Sequence, residues 1–357
     1  MNRGFSTYGR AEAKVTITDI ARESGVSPST VSLVLRNKPG VGQRTRQRVL
    51  KNAAAMGYQH EATNFSTVKS TQKKSIGLIL KVRPNDQMQT NFFYAPVLNG
   101  IESFCRQAQI NLLYAHMPVD EENNPLEPSR LFNEAQANGL LVVGAYLNKP
   151  LSTLLQKQGK PTVLVDSYAE LNHFDMVLSD NEAGAFEATS YLIQNGHQRI
   201  GIVGSRPTSY PSILARRQGF EAAMQAAMLK PLYIDCAHHP EEVAKEVGRF
   251  LQAGGEKRIT AIFVVNDEAA VSVMRTAQAA GLRVPEDLSI IGYDNISLAE
   301  HVSPALTTMR VDKMGMGRLA AQLLLNRLSF PNTGQVQTIM RPSLIERQSV
   351  KQNREIK

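Results

Sequence analysis

Two periodicities divide the chain. Between Val15 and Tyr58 apolar residues recur at helical spacing in three short blocks, whereas from Ile76 onward short continuous apolar runs alternate with amphipathic ones. In the first region Thr16 predicts a helix start, answered three residues on by Asp19 as a shortened capping box, with Ile20, Ala21 and Ser24 following on one face. Gly25 predicts the stop, because a residue without Cβ takes the left-handed conformation that ends a helix. Ser27-Pro28 predicts an immediate second start. Ser27 is the N-cap and Pro28 the first helical residue, where a missing N–H is no loss. Thr30, Val31, Val34 and Leu35 continue that helix, and a third runs from about Gln43 to Met56 and closes at Gly57. A helix broken by one Gly-Val-Ser turn and resumed at once is the pattern of a helix-turn-helix.

In such a motif the second helix enters the DNA major groove with its N-terminal end leading. That geometry makes Pro28, Ser29, Ser32 and Leu33 candidates for facing base edges. Ser27 and Thr45, with the backbone N–H groups at the helix starts, are candidates for holding phosphates, and Thr18 and Tyr58 complete the DNA-facing set.

Charge sharpens this reading. The net charge is +8, but residues 1–75 hold 13 Lys and Arg against 4 Asp and Glu, while the rest holds 27 against 28. All the excess positive charge sits in the first fifth of the chain. A solvated basic tail accounts for charge alone; a folded basic module on a neutral body points to a polyanion reader with a separate control domain.

In the body, apolar strand-like runs at Ile76–Val82, Asn111–Ala115, Leu140–Gly144 and Thr162–Asp166 alternate with predicted helices at Pro96–Gln109, Leu126–Ala137 and Leu151–Gln158. The alternation restarts after Asp180, with strands near Ile200–Val203, Leu232–Ile234, Ala261–Val265 and Leu288–Tyr293. Continuous apolar strands separated by helices predict parallel sheets covered on both faces. Two similar halves predict two Rossmann-like lobes with a cleft at the carboxyl ends of the strands. Those ends carry Asp166, Asn266-Asp267 and Asp294-Asn295. Each alone reads as a helix cap, as Asp180-Asn181 does, but three from separate strands point to a binding site.

Other classes find little support. No run of about 18 apolar residues suggests a membrane span, and Arg3, Arg10 and Lys14 have no apolar stretch behind them that would make a secretory signal. Cys105 and Cys236 stand far apart without metal spacing, which fits a reducing compartment. His116, His173, His197, His238, His239 and His301 are expected in loops or at element ends without metal spacing. GxSxG, P-loop, HExxH and GxGxxG motifs are absent, so no enzyme, metal or cofactor is expected.

The run VTITDIARESGVSPSTVSLVLRNKPGVGQRTRQRVLKNAAAMGY, Val15 to Tyr58, closely resembles the headpiece of the lactose/galactose repressor family. The body resembles the same family, and the periplasmic sugar-binding proteins, through NFFYAPVLNGIE, NGHQRIGIVGS, ARRQGFEAAM, GLRVPEDLSIIGYDNISLAEHVSPALTTMRV and RPSLIERQSV. The fold this implies is an all-α helix-turn-helix headpiece followed by a two-lobed α/β domain like a periplasmic binding protein. The expected divisions are an extension at 1–14, a headpiece at 15–58, a hinge linker at 59–75 and an effector and dimerisation domain at 76–350. Within that domain one lobe comprises about 76–178 plus 311–338, and the other about 179–310 plus 339–350.

The function implied is that of a sequence-specific transcription regulator, commonly a repressor. It would be a cytoplasmic homodimer on a palindromic double-stranded operator, controlled by a small-molecule effector. A ligand acting as co-repressor, or a protein acting as activator, stays open. Where the family often carries a guanine-reading arginine this chain has Leu33, which cannot donate a hydrogen bond; an apolar contact such as a thymine methyl is expected instead. In the hinge, the resemblance puts Thr67 at the position of a minor-groove leucine and Asn64 at that of a small alanine, with Phe65 or Val68 as alternative wedges. It also puts Phe93, Tyr94, Asp166, Arg216, Asn266 and Asp294 in the effector pocket. A carboxylate such as Asp294 accepts from two adjacent hydroxyls, Arg216 donates a planar fork, Asn266 both donates and accepts, and Phe93 or Tyr94 stacks on a ring face. That set suits a sugar or another polyhydroxylated metabolite, with a nucleobase or nucleoside as the alternative. Val311 stands where the family has a sugar-facing glutamine, so an apolar effector edge is expected there.

Overall fold

The computed structural model describes residues 15–35, 38, 40–56, 58, 74–83, 92–120, 123–171, 173–255 and 259–353. The chain separates into two compact units, residues 1–71 and 72–357.

The small unit holds helices α1 (Ile17–Ser24), α2 (Pro28–Leu35) and α3 (Gln43–Ala55). The start of α1 is a reciprocal capping box. Thr16 Oγ1 accepts from the Asp19 amide at 3.3 Å, and Asp19 Oδ2 accepts from the Thr16 amide at 2.9 Å. Gly25 ends the helix at φ 61°, ψ 41°, its N–H returning to the carbonyls of Ala21 and Arg22. Ser27 Oγ then accepts from the Thr30 amide at 3.2 Å and starts α2. Ile20, Ala21, Val31, Val34, Val49 and Ala53 form the core of this unit. Each fully buried Ile or Val contributes roughly 1.5–3 kcal/mol. Asn52 on α3 donates to the Glu23 carbonyl at 3.1 Å, tying α3 to the end of α1.

The large unit begins with β1 (Ser75–Val82), α4 (Tyr94–Gln107), β2 (Asn111–Pro118), β3 (Gly139–Val143), β4 (Tyr146–Leu147), α5 (Lys149–Gln158), β5 (Thr162–Val165), β6 (Tyr168–Ala169) and β7 (Asp175–Ser179). It continues with α6 (Asn181–Gln194), β8 (Ile200–Val203), α7 (Pro211–Ala226), β9 (Leu232–Ile234), α8 (Pro240–Gln252), β10 (Ala261–Val264), α9 (Asp267–Ala279) and β11 (Ser289–Asp294). The last elements are β12 (Thr307–Arg310), α10 (Lys313–Ser329), β13 (Gln337–Met340) and β14 (Ser343–Ile345).

Two six-stranded sheets result. The first has the order β13-β7-β5-β3-β1-β2, with every pair parallel. The second has the order β14-β12-β11-β10-β8-β9 and is parallel except for its edge strand β14. The chain passes between the sheets three times: after Ser179, after Arg310 and after Met340. The second crossing delivers β13 to the first sheet and the third delivers β14 to the second, so neither lobe is made from a single stretch of sequence. On the first lobe α10 packs on α4. Gly100 and Gly317 allow that approach, since a Cβ on either would collide with a backbone carbonyl of the opposite helix.

One predicted helix is absent. Leu126–Ala137 contains only a single 3-10 turn, Arg130–Phe132, begun by Ser129. Pro125 and Pro128 are the physical reason: the residue before each proline is driven from helical to extended backbone, and Leu126 is left exposed. Leu131 and Phe132 still bury their side chains, so the apolar signal was real but not helical.

Candidate functional site

On the small unit, the start of α2 is open to solvent. Ser27, Pro28 and Ser29 are exposed, Ser32 is half-buried, and Leu33 is 39% exposed although its neighbours Val31 and Val34 are buried. The hydroxyls of Ser29 and Thr30 each lie 2.8 Å from Ser27 Oγ, giving this helix start a compact polar tip. Thr18 is exposed and Thr45 half-buried. Tyr58 packs its ring against the core of this unit, which gives it a structural task. Asn64 and Thr67, with the hinge reading that rests on them, lie outside the described residues.

In the large unit a cavity of about 1300 Å³ is lined from both lobes. Its walls come from the carboxyl ends of strands, as an α/β sheet requires: Leu80 to Val82 on β1 with Arg83 just after it, Asp166 after β5, Asn266 after β10 and Asp294 on β11. The backbone turns sharply at two of these positions, with φ of 46° at Asp166 and 108° at Asp294. A left-handed residue at a strand end turns the chain out of the sheet, and Asp adopts that conformation more readily than most.

Five of the six expected effector residues carry polar side chains, and most of those are already engaged. Arg216 and Asp294, 4% and 7% exposed, pair at 2.9 Å between Nη2 and Oδ1. Arg216 Nε donates to Asn181 Oδ1 at 2.8 Å, Nη1 donates to the Val265 carbonyl at 2.5 Å, and the guanidinium stacks 3.8 Å from the centre of the Tyr293 ring. Three of its donor positions are therefore fixed within the protein, so the expected open fork is a partly committed one. Burial works to lower the Arg216 pKa, but Asp294, Tyr293 and Asp166 outweigh it and the guanidinium is held charged. Burial raises the Asp294 carboxyl, opposed by Arg216 and Lys313.

Tyr94 is buried and donates to Asp166 Oδ2 at 2.9 Å, so it serves as a hydrogen-bond donor and its ring is no open platform. Burial pushes Asp166 up to about 6, with the Tyr94 hydrogen bond and the charges of Arg216 and Lys81 restraining the rise. Phe93 is the half-buried aromatic on the wall, its ring edge-on to Tyr94 at 4.9 Å between centroids. Asn266 caps α9: its Oδ1 accepts from the Ala269 amide at 2.8 Å and its Nδ2 donates to the His238 carbonyl at 3.1 Å. Val311 is buried in the core and does not line the cavity, so it offers no apolar edge to a ligand.

A second layer holds the Asp294 loop. Lys313 Nζ donates to the carbonyl of Asp294 and to that of Asn295, the latter at 3.1 Å. Behind it, Asp267 accepts from Thr308 Oγ1 at 2.6 Å and from the Ile296 amide at 2.9 Å. Burial, then the Asp294 charge, pushes Asp267 up to about 8.

Several lining residues were not singled out by sequence reasoning, among them Lys81, Arg83, Asn123, Tyr210 and His238. Lys81 carried a readable signal, a charge inside the otherwise apolar strand SIGLILKV. His116 lies within β2, not in a loop, and with His238 and His239 it lines the cavity. His197 is buried, with one ring nitrogen 3.0 Å from Thr260 Oγ1 and the other 3.1 Å from the Lys351 carbonyl, so it ties down the chain end. Among the described residues no group of His, Cys, Asp and Glu could hold a metal, and no helix is long and apolar enough to cross a membrane.

Comparison with known proteins fits this arrangement. Residues 16–61 match "Bacterial regulatory proteins, lacI family", and residues 189–350 match "Periplasmic binding protein-like domain". The "HTH-type transcriptional repressor PurR" of Aliivibrio fischeri (strain MJ11) is 32% identical over 343 residues, covering 94% of this chain and 98% of that protein. The chain belongs to the lacI family of bacterial regulatory proteins. A LacI family transcriptional regulator from Enterococcus faecalis V583, solved with bound ribose, is 26% identical with a TM-score of 0.65, covering 79% of this chain and all of that one. The transcriptional regulator CelR in complex with cellobiose shares the fold at 24% identity and a TM-score of 0.66, over 94% of this chain and 99% of that one. The helical head followed by a two-lobed parallel α/β body is therefore the lacI-family architecture.

Proposed function

We propose that this protein is a transcriptional repressor that binds operator DNA through the exposed start of α2, under the control of a small polar metabolite held in the cleft. One observation carries the reading: a single chain joins a lacI-family head to a cleft where Asp166, Arg216 and Asp294 converge from separate elements. The basic first fifth of the chain supports DNA as the partner, since phosphate contacts dominate affinity for a duplex. It acts as a homodimer, two heads meeting half-sites about one helical turn apart in a palindromic operator. Acting on chromosomal DNA, it works in the cytoplasm at the nucleoid.

The effector is a sugar or a related polyhydroxylated metabolite. Support comes from the Asp166 and Asp294 carboxylates on the cavity wall, whose remaining lone pairs suit adjacent hydroxyls, beside an arginine with N–H groups to spare and the half-buried Phe93 ring. The ribose held by the Enterococcus regulator is a ligand of this kind. A nucleobase or nucleoside is the second reading, favoured by the 32% identity with a repressor named PurR over nearly the whole chain.

The test is a thermal-shift panel of sugars, nucleosides and bases on the full chain, repeated on Asp294→Asn. The reading expects at least one compound to raise the melting temperature of the wild type and to fail on the variant. Equal shifts in both proteins would remove Asp294 from the site.

A further inference from the structure

Two consecutive residues at the effector end of the cleft carry backbone strain. Asp294 has φ 108° and Asn295 φ 48°, both in the region that residues with a Cβ rarely enter. Such a conformation persists only where its surroundings over-determine it, and it gathers at ligand sites and switch points. The restraints here are specific. Arg347 Nη2 donates to Asn295 Oδ1 at 2.8 Å, the Asn295 amide donates to Thr308 Oγ1 at 3.3 Å, and the Ile296 amide donates to Asp267 Oδ2 at 2.9 Å. Arg347, Thr308 and Asp267 all belong to the same lobe as Asp294.

The fourth restraint comes from the other lobe. Lys313 is the first residue of α10, which starts just after the chain leaves the second sheet at Arg310 and packs on α4 and on strands β3, β5 and β7 of the first. Its Nζ donates back to the carbonyls of Asp294, Asn295 and Val311, the last two at 3.1 and 3.4 Å. An ammonium has three N–H donors, and three carbonyls take them, so Lys313 keeps none for an effector. It is 7% exposed and is not among the residues that line the cavity. Nζ also lies 5.8 Å from the centre of the Phe93 ring, within cation–π range. Lys313 therefore stands outside the cavity beside one wall residue from each lobe.

Its charge is opposed by burial first and by Arg216, and favoured by Asp294, Asp267 and Asp312; the balance lowers its basicity below the usual lysine range. An apolar side chain of similar length would avoid the desolvation, so stability alone does not call for a lysine here. What the lysine adds is donation to the two strained carbonyls.

We propose that Lys313 is a positioning residue of the effector site, holding Asp294 toward the cavity and carrying any change in that loop into α10, so that the first lobe responds to what binds in the second. This rests on the effector reading of the cleft given above. A displaced Asp294 carbonyl moves the ammonium, and with it the start of the helix. About one turn further on, Gly317 lies so close to α4 that a Cβ would collide with the Val97 carbonyl. A contact that tight passes a shift on to α4 and does not absorb it.

Amide hydrogen exchange of the full-length protein tests both parts. Lys313→Met keeps the stem and removes the three donors. Exchange at Asn295 and Ile296 is expected to quicken by about tenfold or more, with β10, in the same lobe, unchanged. Wild-type exchange at Asn295 and Ile296, or equal quickening in β10, overturns the positioning role. The link is read from its other end. Asp294→Asn is expected to alter exchange in the first two turns of α10 by about threefold or more, and to have no such effect when Lys313→Met is also present. An equal effect in both backgrounds, or none in either, overturns the link. Should Lys313→Met fail to fold, Lys313→Gln carries the same comparisons.

D-ribose, cellobiose and adenosine, with the rest of the thermal-shift panel, supply the binding readout. Whichever stabilises the wild type is expected to bind Lys313→Met about tenfold more weakly or worse, although Lys313 has no donor left to touch it. Equal binding overturns the positioning role. The expected exchange pattern with no panel compound bound keeps the link and removes the effector reading. A compound that binds through Asp294 without that pattern removes the link alone.

Discussion

Tyr210, which leads into α7 in one lobe, places its hydroxyl 3.2 Å from the backbone carbonyl of Asp166 in the other, and 3.1 Å from that of Ala145. The bond spans the cleft beside the carboxylate expected to bind the effector. It is buried, so its hydroxyl has little water to fall back on. Removing it with Tyr210→Phe is expected to weaken this contact between the lobes by about 0.5–1.5 kcal/mol. Calorimetric titration with the effector found by the thermal-shift panel should then show affinity falling several-fold. Unchanged affinity would mean that this bond plays no part in holding the binding arrangement.

Arg216 is the keystone of the polar floor. Arg216→Ala removes the cation that pairs with the Asp294 carboxylate and the donor that now satisfies the Asn181 amide oxygen and the Val265 carbonyl. Breaking one side of a buried pair typically costs about 3–5 kcal/mol. Urea unfolding of the large unit should show a loss of that size; a loss below about 1 kcal/mol, the scale of an exposed pair, would contradict the burial argument.

Asp267 predicts a pH dependence with a definite sign. Burial raises its folded pKa from 3.8 to about 8, so the native state keeps the proton longer than the unfolded chain does. Its contribution to stability is therefore full below about pH 4 and is lost progressively as pH rises toward 8. Asp267→Asn, which keeps an oxygen acceptor without a charge, should flatten the decline across that window in chemical denaturation series. A wild type whose stability does not fall there, or a variant that falls as steeply, rules this out.

Much of this architecture was legible in the sequence because its signals are local. Thr16, Gly25 and Ser27-Pro28 each fix a helix boundary through bonds to residues within four positions. Asp166, Asn266 and Asp294 announced themselves as polar residues at the ends of apolar runs. What was hidden is non-local. Pro128 broke a helix that apolar spacing alone had suggested. Strands β7 and β13 lie side by side although their paired residues are 161 positions apart, secured by Asp175, which pairs with Arg327 and accepts from the Val336 amide. The meeting of Lys81 and Arg83 with Asn123 and His238 depends in the same way on the fold, since no spacing rule links those positions. Asn266 shows the converse: its local role as a helix cap is realised, and it leaves less of the side chain to a ligand than the site reading expected.

Gly25 tests the turn on which the head depends. At φ 61° an alanine meets no neighbouring atom, so the whole effect of Gly25→Ala is backbone strain, about 1–2 kcal/mol. The melting temperature of the head should fall accordingly. No fall would mean that the turn relaxes to another conformation.

The most direct test of the central claim is a side-by-side selection of genomic fragments by the full-length wild type and by Leu33→Ala. The account predicts that the wild type enriches a discrete set sharing a roughly palindromic site, and that the variant keeps general DNA affinity while changing which bases are preferred at the Leu33 contact. Enrichment of no fragment by the wild type, or the same preferred sequence with Leu33 removed, would contradict it.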